Sequence, residues 1–179
     1  MGVSIVPALR ALQPPALTVA VGLAGVLIGF WANAAFFPGT SPEQPIDFSH
    51  KIHAGDNDIP CLYCHTQARR SIVAGVPSVN KCVSCHSIVA KDRPQIRKVM
   101  SYWASRQPIP WIKVHDLPDF VYFPHKRHVQ AGVECQTCHG PVETMHRVKR
   151  LAPMKMGWCL NCHKDHAVEN GLDCWTCHK

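Results

Sequence analysis

The sequence predicts a head of short α-helices and loops, with little regular secondary structure, organised around bound prosthetic groups and preceded by one N-terminal transmembrane helix. Three observations predict this fold class. The 179-residue chain carries ten cysteines and twelve histidines, far more than an ordinary soluble domain. Prolines and glycines interrupt most of the chain, which favours short helices and turns over sheet. Residues 16–37 contain no charge and are mostly apolar.

The cysteines form five C-x-x-C pairs, and a histidine directly follows each pair. At the histidine frequency of this chain, five such coincidences would arise by chance about once in a million trials. The repeated C-x-x-C-H unit therefore reflects a chemical requirement. We number the five units in chain order. Their residues are Cys61, Cys64 and His65 for motif 1; Cys82, Cys85 and His86 for motif 2; Cys135, Cys138 and His139 for motif 3; Cys159, Cys162 and His163 for motif 4; and Cys174, Cys177 and His178 for motif 5.

Three chemistries use paired cysteines. Disulfides would leave the five histidines without a role. The stretch from Cys61 to Cys85 has the C-x2-C-x17-C-x2-C spacing of a zinc ribbon, but a tetrahedral zinc site uses two pairs and the chain has five. C-x-x-C-H is the attachment signature of c-type haem, in which the cysteines form thioethers and the histidine is the proximal iron ligand. The sequence therefore predicts a pentahaem cytochrome c with five covalently bound haem c groups.

Two histidine pairs stand ahead of motifs 1 and 3, in the similar sequences FSHKIH and FPHKRH. Each haem iron has a second axial position that such a histidine can fill. We predict that His50 ligates the haem of motif 1 and His125 that of motif 3, while His53 and His128 reach other haems. Histidines three apart point to opposite faces of an extended segment but lie together on a helical turn, and the spacing is compatible with both.

Further candidates for the distal position lie elsewhere in the chain. His115, in the aromatic segment IPWIKVHDLPDFVYF, is predicted as the fifth distal ligand. Met145 and Met156 are thioether alternatives, and a methionine ligand would raise the potential of its haem. His146 and His166 lie among charged residues, where a solvated side chain and a ligand are both compatible with the sequence. Because filled axial positions leave a haem to transfer electrons, we predict an electron-transfer subunit that is not an enzyme and has no catalytic residue.

Residues 16–37 are predicted to form a single transmembrane helix, since they span roughly 33 Å at about 1.5 Å per residue. A cleaved signal peptide is the alternative, because residues 32–34 read Ala-Asn-Ala and resemble an A-x-A cleavage site. With a retained helix, residues 1–15 are a cytoplasmic N-terminus, residues 38–45 a proline-rich linker and residues 46–179 a periplasmic pentahaem domain. This class of protein receives its haem on the outer side of the bacterial cytoplasmic membrane, which places the domain there.

The head is predicted to contain two modules, residues 46–86 and residues 120–178, each with one histidine pair and its motifs. Residues 92–106 between them are predicted to form an amphipathic helix, capped by Asp92 and with Pro94 in its first turn. The net charge of +7 does not indicate a nucleic-acid partner, because the lysines and arginines are dispersed among the motifs.

The succession of FxHxxH and C-x-x-C-H resembles the small multihaem cytochromes of the c3/c7 group. In that group the first histidine of the pair ligates the next haem and the second a more distant one. More specifically, the chain is similar to the pentahaem subunit of bacterial alternative complex III. The similarity covers nearly the whole chain and rests on the N-terminal anchor and on the segments FSHKIHAG, IPWIKVHDLPDFVYFPHKRHV, CQTCHGPVETM and MKMGWCLNCHK.

The resemblance implies a membrane-anchored electron-transfer subunit of a quinol-oxidising respiratory or photosynthetic complex. Electrons would pass from an iron–sulfur subunit through this chain to a periplasmic cytochrome c, a copper protein or an oxidase. The alternative is a one-helix multihaem quinol dehydrogenase of the nitrate and nitrite respiration type, which typically has a methionine soon after the first motif, whereas TQARR follows His65 here. A catalytic pentahaem enzyme such as a nitrite reductase resembles longer chains with a C-x-x-C-K site, which this sequence lacks.

Overall fold

The computed structural model describes residues 15–36 and 41–179, and within the first of these ranges it describes the side chains of residues 18–31. Residues 1–14 and 37–40 lie outside the described residues. The predicted cytoplasmic N-terminus and the beginning of the predicted linker therefore fall outside them, as do the side chains of the alternative cleavage site.

The chain divides into two compact units, and the first comprises residues 1–38. Its described element is helix α1, Pro15–Phe36, which is 22 residues long. None of the helices in the described ranges has both the length and the apolar character that a membrane crossing requires. The transmembrane helix predicted for residues 16–37 lies partly outside the described residues and stays a prediction.

The second unit comprises residues 39–179 and consists of short helices joined by loops, as predicted. Among the described residues β-structure is confined to one isolated antiparallel bridge between Val121 and His178. The α-helices of this unit are α2, Cys61–Cys64; α3, Val79–His86; α4, Pro94–Ala104; α5, His125–Gln130; α6, Cys135–His139; α7, Met156–Asp165; and α8, Cys174–Cys177. Two further helical turns are a wide turn of the π type, Lys51–Asp56, and a 3-10 turn, Val142–Thr144.

Helix α4 is the amphipathic helix predicted between the two modules, and Pro94 occupies its first position. The predicted cap was wrong by one residue. Because the N-cap directly precedes the first helical residue, Arg93 holds that place, and it makes no side-chain capping bond. Asp92 contributes its main-chain carbonyl, which accepts a hydrogen bond of 2.9 Å from the guanidinium group of Arg97.

The main hydrophobic cluster lies where α3 and α4 pack together. Its centre consists of Val79 from α3, Val99 from α4, and Ile46 and Ile109 from the loops beside them, and all four side chains are buried. Partly buried side chains surround this centre, namely Cys82, Val83, Tyr102 and Trp111. Since one of these is a cysteine of motif 2, the cluster fixes the position of that motif.

A second contact joins the chain before motif 1 to the chain after motif 3. The turn Lys51–Asp56 packs against the turn Val142–Thr144. The main-chain nitrogen of Lys51 donates a hydrogen bond of 2.8 Å to the carbonyl of Met145, whose side chain is buried. The two predicted modules are therefore joined directly, through residues next to the first histidine pair.

Gly55 marks the closest approach in this contact. A Cβ atom at this position would collide with the main-chain carbonyl of Glu143. We expect Gly55→Ala to lower the free energy of unfolding by about 1–3 kcal/mol, because a packed backbone must shift to admit the methyl group. The matched control is Gly157→Ala in helix α7, where the added Cβ meets no protein atom within 4 Å. That change should be neutral or stabilising by up to about 1 kcal/mol, since alanine favours a helix.

Chemical denaturation of the haem-loaded protein measures both variants. Equal stabilities for the two variants would contradict a close approach at Gly55.

Candidate haem-binding site

Each of the five motifs lies on a helical segment. The motifs occupy α2, α3, α6, α7 and α8 in chain order. In a helix, residues three apart lie on the same face, so each C-x-x-C pair presents two sulfur atoms to one side. The cysteines are free thiols in the structure, and they stand for the thioether sulfurs that attachment of a haem would form. The histidine follows at the end of the same helical turn.

The histidine pairs FSHKIH and FPHKRH are helical turns, which decides between the two geometries that their spacing allows. His50 has helical backbone angles, with φ −65° and ψ −33°, and directly precedes the turn Lys51–Asp56. His125 is the first residue of α5. Both histidines of a pair therefore lie on one turn, close enough to serve two neighbouring haems.

Four of the five motif histidines face an imidazole ring from these two turns at a nearly constant distance. A metal ion bound at about 2 Å by the Nε2 atoms of two imidazoles would place the ring centroids about 6.4 Å apart. The observed separations fit this value. They are 6.5 Å for His50 and His65, 6.0 Å for His53 and His86, 6.3 Å for His125 and His139, and 6.0 Å for His128 and His163.

Hydrogen bonds on the Nδ1 atoms orient these rings. A metal-ligating histidine ordinarily donates its Nδ1–H to a carbonyl or carboxylate, which leaves Nε2 for the metal. Six of the eight paired rings donate from Nδ1 to a main-chain carbonyl. The acceptors are Gly75 for His65 at 2.6 Å, Val89 for His86 at 2.9 Å, Gly171 for His163 at 2.7 Å, Ser49 for His53 at 2.8 Å, Ile72 for His125 at 2.9 Å and Pro124 for His128 at 3.1 Å.

Burial keeps several of these imidazoles neutral. Burial, with smaller contributions from His65 and His53, lowers the pKa of His50 to about 4. Burial, followed by the neighbouring His115, His125 and His65, lowers the pKa of His139 to about 4. Because a metal binds the neutral imidazole, these rings are in their ligating form at neutral pH.

A phenylalanine supports each histidine pair in the same way. Phe48 lies edge-to-face with His50 at 4.8 Å and nearly parallel to His53 at 4.4 Å. Phe123 has the corresponding relations to His125 at 4.9 Å and to His128 at 4.4 Å. Sequence reasoning predicted no contact between these phenylalanines and the histidines, although both phenylalanines stand two residues before the first histidine of their pair.

His115 lies beside motif 3. Its ring centroid is 4.4 Å from that of His139, in an edge-to-face arrangement, and its Nε2 atom is buried without a hydrogen-bond partner. Burial, and then the nearby Arg150, lowers its pKa. A buried imidazole nitrogen with no hydrogen-bond partner is suited to a metal, and the role of His115 as the fifth distal ligand stays a prediction.

His178 of motif 5 lies beside Phe120. The two ring centroids are 5.9 Å apart, and Nδ1 of His178 donates to the Phe120 carbonyl at 3.3 Å. The structure therefore brings together four pairs of predicted ligands. For His178, the fifth motif histidine, the ring contact among the described residues is with a phenylalanine.

The remaining candidates have other surroundings. His146 is exposed, and its Nδ1 atom is 3.1 Å from the hydroxyl of the buried Ser49. His166 is exposed at the end of α7, and its Nδ1 donates to the Cys162 carbonyl at 2.9 Å. The side chain of Met145 is buried, whereas that of Met156 is 61% exposed. Neither methionine is placed against a motif histidine by the contacts of the described residues.

The residues present fit covalently bound haem c. The sulfur pairs lie on helical turns, and the ring separations suit an iron between two imidazoles. In addition, only six hydrophobic side chains are buried among the described residues. So small a hydrophobic core suits a protein whose interior is completed by prosthetic groups.

The comparisons with known proteins agree with this geometry. Residues 121–179 match the family described as cytochrome c7 and related cytochrome c, and residues 33–110 match the class III cytochrome C family. The chain is also 32% identical, over 188 residues, to the multiheme cytochrome c subunit of menaquinone reductase from Nitratidesulfovibrio vulgaris strain Hildenborough. That alignment covers 89% of this chain and 88% of the relative. The chain belongs to the class III and c7-like multihaem cytochromes c.

The two family matches divide this multihaem cytochrome close to its predicted module boundary. One match ends at residue 110 and the other begins at residue 121. Each includes one phenylalanine-supported histidine turn. The phenylalanine-supported turn therefore occurs once in each of the two matched regions.

Proposed function

We propose that this multihaem cytochrome is the electron-transfer subunit of a quinone-linked oxidoreductase complex. The observation that carries the proposal is the set of four imidazole pairs with centroids 6.0–6.5 Å apart. Two protein ligands at an iron leave no open position for a substrate. The identity of 32% to a menaquinone reductase subunit supports the link to a quinone.

We propose five haem c groups, one for each motif. Haem c supplies a one-electron redox centre that is held covalently. The ten cysteines of the motifs bind it, and the imidazoles orient it and exclude water from the iron. The proposed proximal ligands are His65, His86, His139, His163 and His178, and the proposed distal ligands are His50, His53, His115, His125 and His128.

The proposed complex is of the alternative complex III type. In this proposal an iron–sulfur subunit delivers electrons from quinol, and a periplasmic cytochrome c, a copper protein or an oxidase receives them. The support is the resemblance of the segments around the histidine pairs and motif 4. The proposed location is the bacterial cytoplasmic membrane, with one N-terminal helix and the haem domain on the periplasmic side. The support for this location is the uncharged sequence of residues 16–37.

A second candidate is electron flow in the opposite direction. The relative is a subunit of a menaquinone reductase, so its name describes electrons passing to the quinone. The ligand residues would be unchanged, because two imidazoles at an iron serve electron transfer in either direction. The outside partner would then be an electron donor.

The experiment uses the complex purified from membranes and the haem-loaded subunit purified alone. The mass of the isolated subunit should equal that of the chain with five haems attached. Electron paramagnetic resonance of the oxidised subunit should show low-spin iron without a dominant high-spin signal. Menaquinol should reduce the haems of the complex but not those of the isolated subunit. Reduction of the isolated subunit by menaquinol would establish the one-helix quinol dehydrogenase function, and quinone reduction by a reduced complex would establish the reverse direction. A dominant high-spin signal, or an entirely soluble protein, would contradict the proposal.

A further inference from the structure

We propose that the five attachment motifs lie in space in the order 2–1–3–4–5, so that motif 1, and not motif 2, adjoins motif 3. Motifs 2 and 5 are then the two ends of the row. The order is a statement about the residues of this chain. It rests on the proposed function only where the ends of the row are taken as the places at which electrons enter and leave.

The first histidine turn places motifs 1 and 2 side by side. His50 faces His65 of motif 1, and His53 faces His86 of motif 2. The two distal rings belong to one turn, and both contact the ring of Phe48. Motifs 1 and 2 therefore flank the same turn, on different sides.

Helix α5 places motifs 3 and 4 side by side in the same manner. His125 faces His139 of motif 3, and His128 faces His163 of motif 4. The head thus contains two pairs of motifs, 1 with 2 and 3 with 4.

The segment that follows motif 1 joins the two pairs. The carbonyl of Ile72 accepts hydrogen bonds from both the main-chain nitrogen and the Nδ1 atom of His125, at 3.1 and 2.9 Å. The main-chain nitrogen of Lys126 donates to the carbonyl of Ser71 at 3.1 Å. Since His125 faces His139 of motif 3, the segment that follows motif 1 holds a predicted ligand of motif 3 in position.

Motif 1 therefore has a neighbour on each side. Motif 2 adjoins it through the turn that carries His50 and His53, and motif 3 adjoins it through the hydrogen bonds that Ile72 and Ser71 accept from helix α5. This makes motif 1 an interior member of the row.

Motif 5 adjoins motif 4. The carbonyl of Gly171, three residues before motif 5, accepts the Nδ1 hydrogen bond of His163 at 2.7 Å. Motif 5 is held in addition by Tyr122, whose main-chain nitrogen donates to the Cys177 carbonyl at 2.7 Å.

Both ends of the row carry exposed apolar side chains. Beside motif 2, the side chain of Ile88 is 82% exposed and that of Val89 is 59% exposed. Within motif 5, the side chain of Trp175 is 74% exposed.

The first test is a structure of the haem-loaded protein, alone or in its complex. We expect the iron of motif 1 to lie nearer to the iron of motif 3 than the iron of motif 2 does. The opposite result, with motif 2 between motifs 1 and 3, would overturn the order. Because the readout is a set of iron–iron distances, it is independent of quinol oxidation, and a failure of the proposed function would leave it unaffected.

The second test uses a matched pair of variants from one turn, His53→Met and His50→Met. A methionine ligand raises the potential of its own haem, and each neighbouring haem responds to the altered charge state. Proton resonances of the haem methyl groups, followed during a redox titration, report each haem separately. His53→Met should shift the midpoint of one other haem, that of motif 1, whereas His50→Met should shift two, those of motifs 2 and 3. A shift at motif 3 in His53→Met that equals the shift at motif 1 would refute the order.

Discussion

Replacing His125 with alanine is expected to convert one of the five iron centres of the loaded protein from low spin to high spin and to leave the other four unchanged. His125 faces His139 at 6.3 Å, with the two rings only 4° from parallel, so its imidazole is positioned as the second axial ligand of motif 3. Without it the iron keeps one protein ligand and has an open position. Electron paramagnetic resonance of the oxidised protein measures the change directly.

His166→Ala and His146→Ala are the matched controls for this prediction. Both remove an exposed imidazole that none of the ring contacts among the described residues places against a motif histidine. Their spectra should remain fully low-spin. A fully low-spin spectrum for His125→Ala would remove His125 from the ligand set, and a high-spin signal from His166→Ala or His146→Ala would add that residue to it.

Replacing Ile46 with alanine should lower the free energy of unfolding by about 2–4 kcal/mol, because the change leaves a cavity in a packed cluster. The Ile46 side chain is 4% exposed and belongs to the cluster between α3 and α4 that holds Cys82 of motif 2. The control is the same substitution at Ile88, whose side chain is 82% exposed. Ile88→Ala should change the free energy of unfolding by no more than about 0.5 kcal/mol.

Denaturant unfolding, followed by the change in the haem absorption spectrum as the axial ligands are released, measures both isoleucine variants in the loaded protein. If the two substitutions cost the same, the haems alone stabilise the head, and the protein cluster contributes nothing of its own. A large difference means that motif 2 depends on ordinary hydrophobic packing as well as on its haem.

Local sequence patterns predicted much of the site. The five motifs follow from spacing alone, and the two histidine pairs were recognised because FxHxxH occurs twice. The spacing could not decide between an extended segment and a helical turn, since both allow two histidines three apart to reach haems. The cap of α4 was assigned to Asp92, although the position of Pro94 already required the cap to be Arg93.

Long-range contacts had no signal in the sequence. The Gly75 carbonyl that orients His65, and the Ile72 carbonyl that orients His125, act through main-chain atoms that any residue would provide. The packing of Lys51 against Met145 depends on how the two modules meet, and the two residues are 94 positions apart in the sequence. The spatial order of the motifs follows from these contacts, and for that reason it differs from their order in the chain.

The position of each histidine turn ahead of the motifs it faces also bears on how the protein is made. A chain is synthesised from its N-terminus, and its early segments can fold before later ones exist. His50 and His53 therefore emerge before Cys61, and His125 and His128 before Cys135. When a haem is joined to the cysteines of motifs 1 to 4, the histidine proposed as its distal ligand has already been synthesised. Each of these haems can then bind its distal histidine as soon as it is attached, and maturation can proceed along the chain from motif 1 to motif 4.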